Sequence, residues 1–579
     1  MKKFYLFFFF LVCTILTVKS QNAIQSFKPD TLHYSKTKNA PLDSVDVLNA
    51  LPSSTMPGGG YNWQGNLLDA SLFYANYGML YSNPIQKKNL VYSGLPHVAF
   101  GYAFGNKSIQ NVFADYQHAF TKRLLLNMYF RRNSGSGYLR NNVFRHTAVE
   151  LHLKRSGKRY SFMVDASFHG DEWNVNKGIV TDTLLEVFDL SFQPVRSESA
   201  KTKYQHTKIQ YQQYFNFKND SLNQFGLTSW HQVKVQNRRF SETDTLALLY
   251  PLVNYDSVQT RDQYQFGGVK NGLGFYFTYK KWALEIGSYL HTWKVENLKF
   301  RSDSLESNVY LSAFYKGKHF LIGGDLDANL QGAGQGTSLN LVAEYKLKDW
   351  KFSGSWSAQK ILPDYFQRQY YGNNIQYLNT DLQLQNRQKA ELKASYHFFG
   401  QEVVVSANWN QLKDNYWYKS QNWLNDTLNL VRIASMETAL KLKWGIINFH
   451  PFYRYTFTDP ETFYIPNHQL FARLFIKGSL FKAKKMKAYV GCDFHWSSSY
   501  SLLDYQAQLN TFYHRNTSIT NPGLLNLHAF LGFQIETFKF YFRFENLGYL
   551  MQKSETYVLD GIPIPSTHFR FGITWDFFN

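Results

Sequence analysis

Cysteine is nearly absent. The 579-residue chain has two, Cys13 and Cys492, and Cys13 lies in an apolar leader. The body of the chain therefore keeps one thiol, which excludes an intramolecular disulfide frame and a thiolate metal cluster there. Cys492 reads as a small packing residue on a strand. Acidic residues are also scarce, 42 against 62 Lys and Arg, for a formal net charge of +20. Long apolar runs are missing beyond the first twenty residues, and mean hydropathy is −0.39. A polytopic helical membrane protein is excluded, because each span needs about 20 apolar residues. What the chain has in excess is aromatic side chains, 18% of all residues. They are too many, and too regularly placed, for a disordered chain.

The one apolar run is a leader. Lys2 and Lys3 form a charged start, Phe4 to Val18 an apolar stretch, and Val18-Lys19-Ser20 a cleavage site. Residues 1–20 read as a signal peptide, with Gln21 as the mature N-terminus. A single helical anchor is the alternative, but the stretch is short for a span of about 20 residues. In a cytosolic chain the positive charge would suggest nucleic acid. In an exported one it points to anionic solutes, lipid head groups or basic turns, and no nucleic-acid partner is expected. Residues 21–95 alternate poorly and carry Pro41, Pro52, Pro57 and the run Gly58-Gly59-Gly60. They read as an irregular extension folded against or into the rest of the chain.

Residues 96–579 are different. In the last stretch, Phe569, Phe571, Ile573, Trp575 and Phe577 alternate with Arg570, Gly572, Thr574 and Asp576. Period two means a β-strand with one apolar and one polar face. The pattern recurs in about 22 segments, from 97–104 through 308–316 to 566–578. Turns at Thr121-Lys122, Lys280-Lys281, Lys348-Asp349 and Gly400-Gln401 are short. Connections near 171–201, 240–261, 361–386, 498–523 and 547–565 are long and polar. Short and long alternate along the chain, which predicts an all-β, transmembrane, antiparallel up-and-down barrel of about 22 strands. An immunoglobulin-like array would not sort its loops so, and no repeated blade motif marks a propeller. Charges fall on one strand face. Phe538, Phe540, Phe542 and Phe544 alternate with Lys539, Tyr541, Arg543 and Glu545. A Lys or Arg on the lipid face at the midplane would cost ~2–4 kcal/mol.

Two early stretches carry a resemblance. They are Asn111-Val112-Phe113-Ala114-Asp115-Tyr116-Gln117-His118 and the run from Leu126 through Arg131-Arg132-Asn133-Ser134-Gly135-Ser136-Gly137 to Arg140. Asn176-Lys177-Gly178-Ile179 follows a long hairpin, and Phe544-Glu545-Asn546-Leu547 precedes the terminal aromatic strand. With these the chain resembles the putative porins of Bacteroidetes-type bacteria, from about residue 60 to its end. The resemblance implies a barrel in the bacterial outer membrane, surrounded by its lipid, and supplies no catalytic residues.

Candidate chemistry is sparse. The His residues form no H-E-x-x-H and no paired set on one strand face, so neither metal nor cofactor is expected. A Ser/His/acid triad could arise anywhere among so many Ser and His, but no G-x-S-x-G elbow is present, and an enzyme is not expected. Gly135-Ser136-Gly137 and residues 331–336 read as hairpin loops, since no Lys-Ser/Thr follows. Trp350, Trp409, Trp417, Trp444, Trp496 and Trp575 read as interface girdle rather than sugar-stacking rings. Lys clusters near 346–351 and 482–487 read as a solvated rim.

Three functions fit. The first is passive diffusion of small hydrophilic, anion-leaning solutes, with Arg387, Arg454, Arg473, Arg543 and Arg570 lining the lumen. The second is a non-conducting barrel in an envelope secretion or assembly machine, with partner proteins or oligomers. The third is active uptake, ranked last because about 75 residues before the first strand are too few for a plug domain. A barrel of 22 strands is wide enough to leak, so residues 21–95 or the long loops must narrow it.

Overall fold

The structure is a computed structural model. It describes residues 95–579 except 182–188, 220–222, 244–249, 298, 333–335, 364, 380–381, 415–416, 420–421, 425–429, 460–464, 483–484, 503, 510, 514–519, 551–556, 560 and 579. The leader and almost all of the extension, 1–20 and 21–95, lie outside the described residues.

Twenty-two strands form the wall, numbered here along the barrel. They are β1 His97–Gly105, β2 Ile109–Thr121, β3 Leu124–Gly135, β4 Phe144–Arg155, β5 Tyr160–Asn174, β6 Lys201–Asn219, β7 Asn223–Glu242 and β8 Thr260–Tyr279. Next come β9 Trp282–Asn297, β10 Arg301–Lys316, β11 Phe320–Gln331, β12 Thr337–Leu347, β13 Trp350–Ile361, β14 Gln385–Phe398 and β15 Gln401–Lys413. The last are β16 Leu430–Trp444, β17 Ile447–Asp459, β18 His468–Leu480, β19 Met486–Ser497, β20 Leu524–Ile535, β21 Phe538–Glu545 and β22 His568–Phe578. Each pairs antiparallel with its neighbour in sequence, and β22 closes on β1 with Val98 opposite Phe577 and Ala103 opposite Gly572. Closure leaves no free sheet edge, which a lipid environment requires.

The connections sort by rim. Those after even-numbered strands are two to five residues long, and those after odd-numbered strands reach 26. Phe399 and Gly400 both hold positive φ, 45° and 76°. That twist suits a tight two-residue hairpin. Short turns mark the periplasmic rim and long connections the external one. Outward residues are apolar and exposed, as lipid contacts must be: Leu273, Phe275, Ile286, Leu392, Val405 and Leu531 are examples. Trp282, Trp350 and Trp444 stand exposed at the periplasmic rim, consistent with an interface girdle. Side-chain placement of Trp417 is outside what the structure describes.

Strand heights differ. β7 and β8 have 20 residues each and β21 has eight. About 9–11 tilted residues cross a membrane, so β6 to β10 rise above it as a palisade. β10 begins at Arg301, seven residues before the sequence-based start. Its first turns, Arg301-Ser302-Asp303-Ser304, are polar because they stand in water, so no apolar stripe announced them.

The candidate pore lining and its mouth

Register fixes which side chains face inward. Starting from Arg473, its partners Asp493 on β19 and His450 on β17 share its face. The same walk places Lys539, Tyr541, Arg543 and Glu545 of β21 and His568, Arg570, Thr574 and Asp576 of β22 inside. Arg473, Arg543 and Arg570 are 3%, 8% and 2% exposed. Buried charges of this kind need partners, and they have them. Arg473 donates to both Asp493 oxygens at 2.5 and 2.8 Å. Arg543 reaches Asp493 at 3.0 Å and Glu545 at 3.1 Å. Arg570 and His568 meet Glu545 at 2.8 and 2.6 Å. The three arginines therefore form one network, threaded through two carboxylates. Arg454 sits apart, bonded to Glu437 at 2.9 Å and Gln469 at 3.3 Å. Arg387 lies at the external end of β14 and donates to Gln385 at 2.8 Å.

The sequence reading named Glu545 but missed Asp493, the carboxylate that joins two of these arginines. Its signal was present. Asp493 shares the parity of Tyr489, Gly491 and His495, opposite Val490, Cys492 and Phe494. A second correction concerns histidine. His146 and His152 do share one face of β4, inside the barrel. His146 bonds Asp171, and His152 bonds Asp165 at 2.5 Å. Among the described residues no group of three or more His, Cys, Asp or Glu is placed to hold a metal ion.

Lysines gather at a different height. Lys346, Lys351, Lys393, Lys441, Lys443, Lys477 and Lys487 face inward within a few residues of the periplasmic rim of β12 to β19. Five of them are exposed: Lys346, Lys393, Lys441, Lys443 and Lys487. Apart from Asp493, the acids on the same inner wall are Glu344, which meets Lys351 at 3.3 Å, Glu402, which meets Lys441 at 2.6 Å, Glu391 beside Lys393, and Glu437, which Arg454 holds at 2.9 Å.

The external mouth is built by loops. Tyr138 and Leu139, Val175, Ile179, Leu190 and Val195, Tyr505 and Ala507, and Tyr549, Leu559 and Ile564 come from four connections and bury one another. Loop 498–523 starts between β19 and β20 and reaches β7 and β8, almost opposite in the ring of 22. There Arg238 donates to the carbonyls of Gln508 and, at 3.2 Å, Ala507. Tyr370 of loop 362–384 donates to the Gln508 carbonyl at 3.0 Å, and Gln508 donates to Asn374 at 3.0 Å. Leu509 is fully buried among Tyr264, Tyr370 and Tyr377. Burial holds the Tyr370 phenol well above its ordinary pKa, with the Asp262 charge adding, so it stays a donor. The two loops thus meet across the lumen. The expectation that long loops narrow the barrel fits this arrangement.

Closed strand number, apolar exterior, polar interior and loop-sorted rims define an outer-membrane β-barrel. The family model of the putative porins matches residues 68–579, and the chain belongs to that family. The barrel sits in the bacterial outer membrane. No curated protein matches the chain. Among solved structures, the FrpB iron transporter from Neisseria meningitidis is similar at 10% identity and TM-score 0.57, over 83% of this chain and 82% of that one. The siderophore receptor PirA from Acinetobacter baumannii gives 12% and 0.56, over 85% and 81%. The copper transporter OprC gives 9% and 0.59, over 83% and 80%. At such identities the likeness is one of fold.

Proposed function

We propose that the protein is a passive channel for small hydrophilic solutes, leaning toward anions. The reading needs no catalytic group and no cofactor, and its partners are solutes and outer-membrane lipid. One observation carries it: the inner face of β12 to β19 holds a crescent of seven lysines, five of them exposed, against four acids outside the arginine network, Glu344, Glu391, Glu402 and Glu437, the last held by Arg454. Confined charge of one sign concentrates the opposite ion. The buried arginines contribute less free charge, because Asp493, Glu545 and Glu437 share it. They remain lining residues, with Arg387 at the external end. Iron, siderophore and copper cargo belong to FrpB, PirA and OprC and are not transferred on fold likeness.

The test is the reversal potential of purified protein in a planar bilayer across a potassium chloride gradient. Wild type prefers chloride, and Lys393→Glu with Lys443→Glu reduces or inverts that preference. Higher salt weakens it, because the Debye length shrinks from ~10 Å at 0.1 M to ~3 Å at 1 M. A cation-selective wild type refutes the reading. The loops joined across the mouth favour one competitor, a non-conducting component of an envelope machine. Silence in the bilayer from a folded barrel would support that reading instead.

A further inference from the structure

Half-buried rings stand on the inner wall far from the arginine network. Trp230 of β7, Tyr289 of β9 and Tyr310 of β10 form a triangle with centroids 5.2, 6.5 and 6.5 Å apart. Their register partners put them inside: Trp230 faces Gly272, and Tyr289 faces both Gly272 and Asn308. Glycine makes the floor beneath. A Cβ on Gly272 would strike the Trp230 indole, and one on Gly274 or Gly287 would strike the Tyr310 phenol. The rings of Trp230 and Tyr310 therefore lie over the strand backbone.

Elsewhere in the lumen the same device only packs. Tyr489 covers Gly532 and Tyr541 covers Gly572, each ring 2% exposed. Trp230, Tyr289 and Tyr310 are each only half-buried. Polar groups border them. The Tyr289 hydroxyl donates to both Asp327 oxygens at 3.0 and 3.1 Å, and the Lys270 ammonium lies over one face of the Tyr289 ring, 5.3 Å from its centre.

Clustered aromatic rings with a carboxylate at the Tyr289 hydroxyl edge and an ammonium over the Tyr289 face match one ligand chemistry. The C–H face of a pyranose ring is apolar and stacks on such a surface. Its hydroxyls both donate to carboxylates and accept from ammonium groups. We propose that Trp230, Tyr289 and Tyr310 form a stacking platform for a neutral oligosaccharide, with Asp327 and Lys270 as its hydrogen-bonding rim. This goes beyond the anion lean of the channel reading to an uncharged hydrophilic solute, and rests on that reading only for how the sugar arrives.

Maltohexaose is titrated into the full barrel in a detergent without sugar groups, with heat and tryptophan fluorescence as readouts. Wild type binds saturably. Trp230→Ala weakens binding by about tenfold, while Trp444→Ala, exposed at the periplasmic rim, leaves it unchanged. Heat-shifted electrophoretic mobility confirms that each variant is folded. Trp230→Phe keeps a ring and retains most of the affinity. No binding at tens of millimolar overturns the platform, and so does equal binding by wild type and folded Trp230→Ala. Binding by a barrel that never conducts keeps the platform and sinks the channel, so the two failures are distinguishable.

Discussion

At the scale of single residues, burial decides what an inward charge can do. Asp493 is completely buried and accepts from two arginines of different strands. Removing it leaves Arg473 and Arg543 with too few acceptors in a confined space. Breaking a buried pair from one side costs ~3–5 kcal/mol. Asp493→Ala therefore lowers the unfolding midpoint of the barrel in urea, while Cys492→Ala beside it, on the lipid side, changes it little. Equal midpoints for wild type and Asp493→Ala would deny the network a structural role. The sequence made the network arginines visible, because each sits between apolar neighbours on its strand: Ala472 and Leu474 around Arg473, Phe542 and Phe544 around Arg543, Phe569 and Phe571 around Arg570. It could not say that they are neutralised. Pairing depends on register between strands as far apart in sequence as β19 and β21, and no local pattern carries that.

At the scale of elements, alternation was enough to find all 22 strands, and turn chemistry enough to sort their connections. The loops were legible only as long and polar. Their apolar residues, such as Tyr138, Ile179, Leu509 and Tyr549, are scattered without period, so nothing in the sequence joined them into one mouth. The clasp between loop 498–523 and β7 makes its own prediction. Arg238 holds two carbonyls of that loop, and Leu509 fills a pocket of tyrosines. Arg238→Ala with Leu509→Asp strips a charge-assisted bond and puts a carboxylate among rings. Single-channel conductance rises in this variant, with the barrel still heat-modifiable. Residues 21–95 are proposed as a second constriction, and deleting residues 24–90 in the same background raises conductance further. Unchanged traces in the clasp variant would remove the loop from any gating role.

At the scale of the whole molecule, the claim that organises everything else is closure. The even strand count puts both ends of the barrel, His97 and Phe578, on the periplasmic rim. There the aromatic β22 meets β1 across the whole of β1, from His97 opposite Phe578 to Gly105 opposite Arg570. A strand that slipped by one residue would turn Arg570 and Asp576 to lipid and Phe571 and Trp575 to the lumen. That makes the register testable by chemistry. In a Cys492→Ala background, cysteines at Val98 and Phe577 lie directly opposite on the outer face. Directly opposed residues on antiparallel strands have Cα atoms about 4.5–5.5 Å apart, within reach of a disulfide. Oxidation therefore forms an intramolecular bond between positions 479 residues apart in sequence, detected as a mobility shift reversed by reductant. Cysteines at Val98 and Asp576 point to opposite faces and stay reduced. The bridge ties β22 to β1, so the oxidised barrel resists heat unfolding more than the reduced one. A bond that formed in the mismatched pair and not in the matched one would place the seam one residue out of register. It would turn Arg570 outward, away from Glu545.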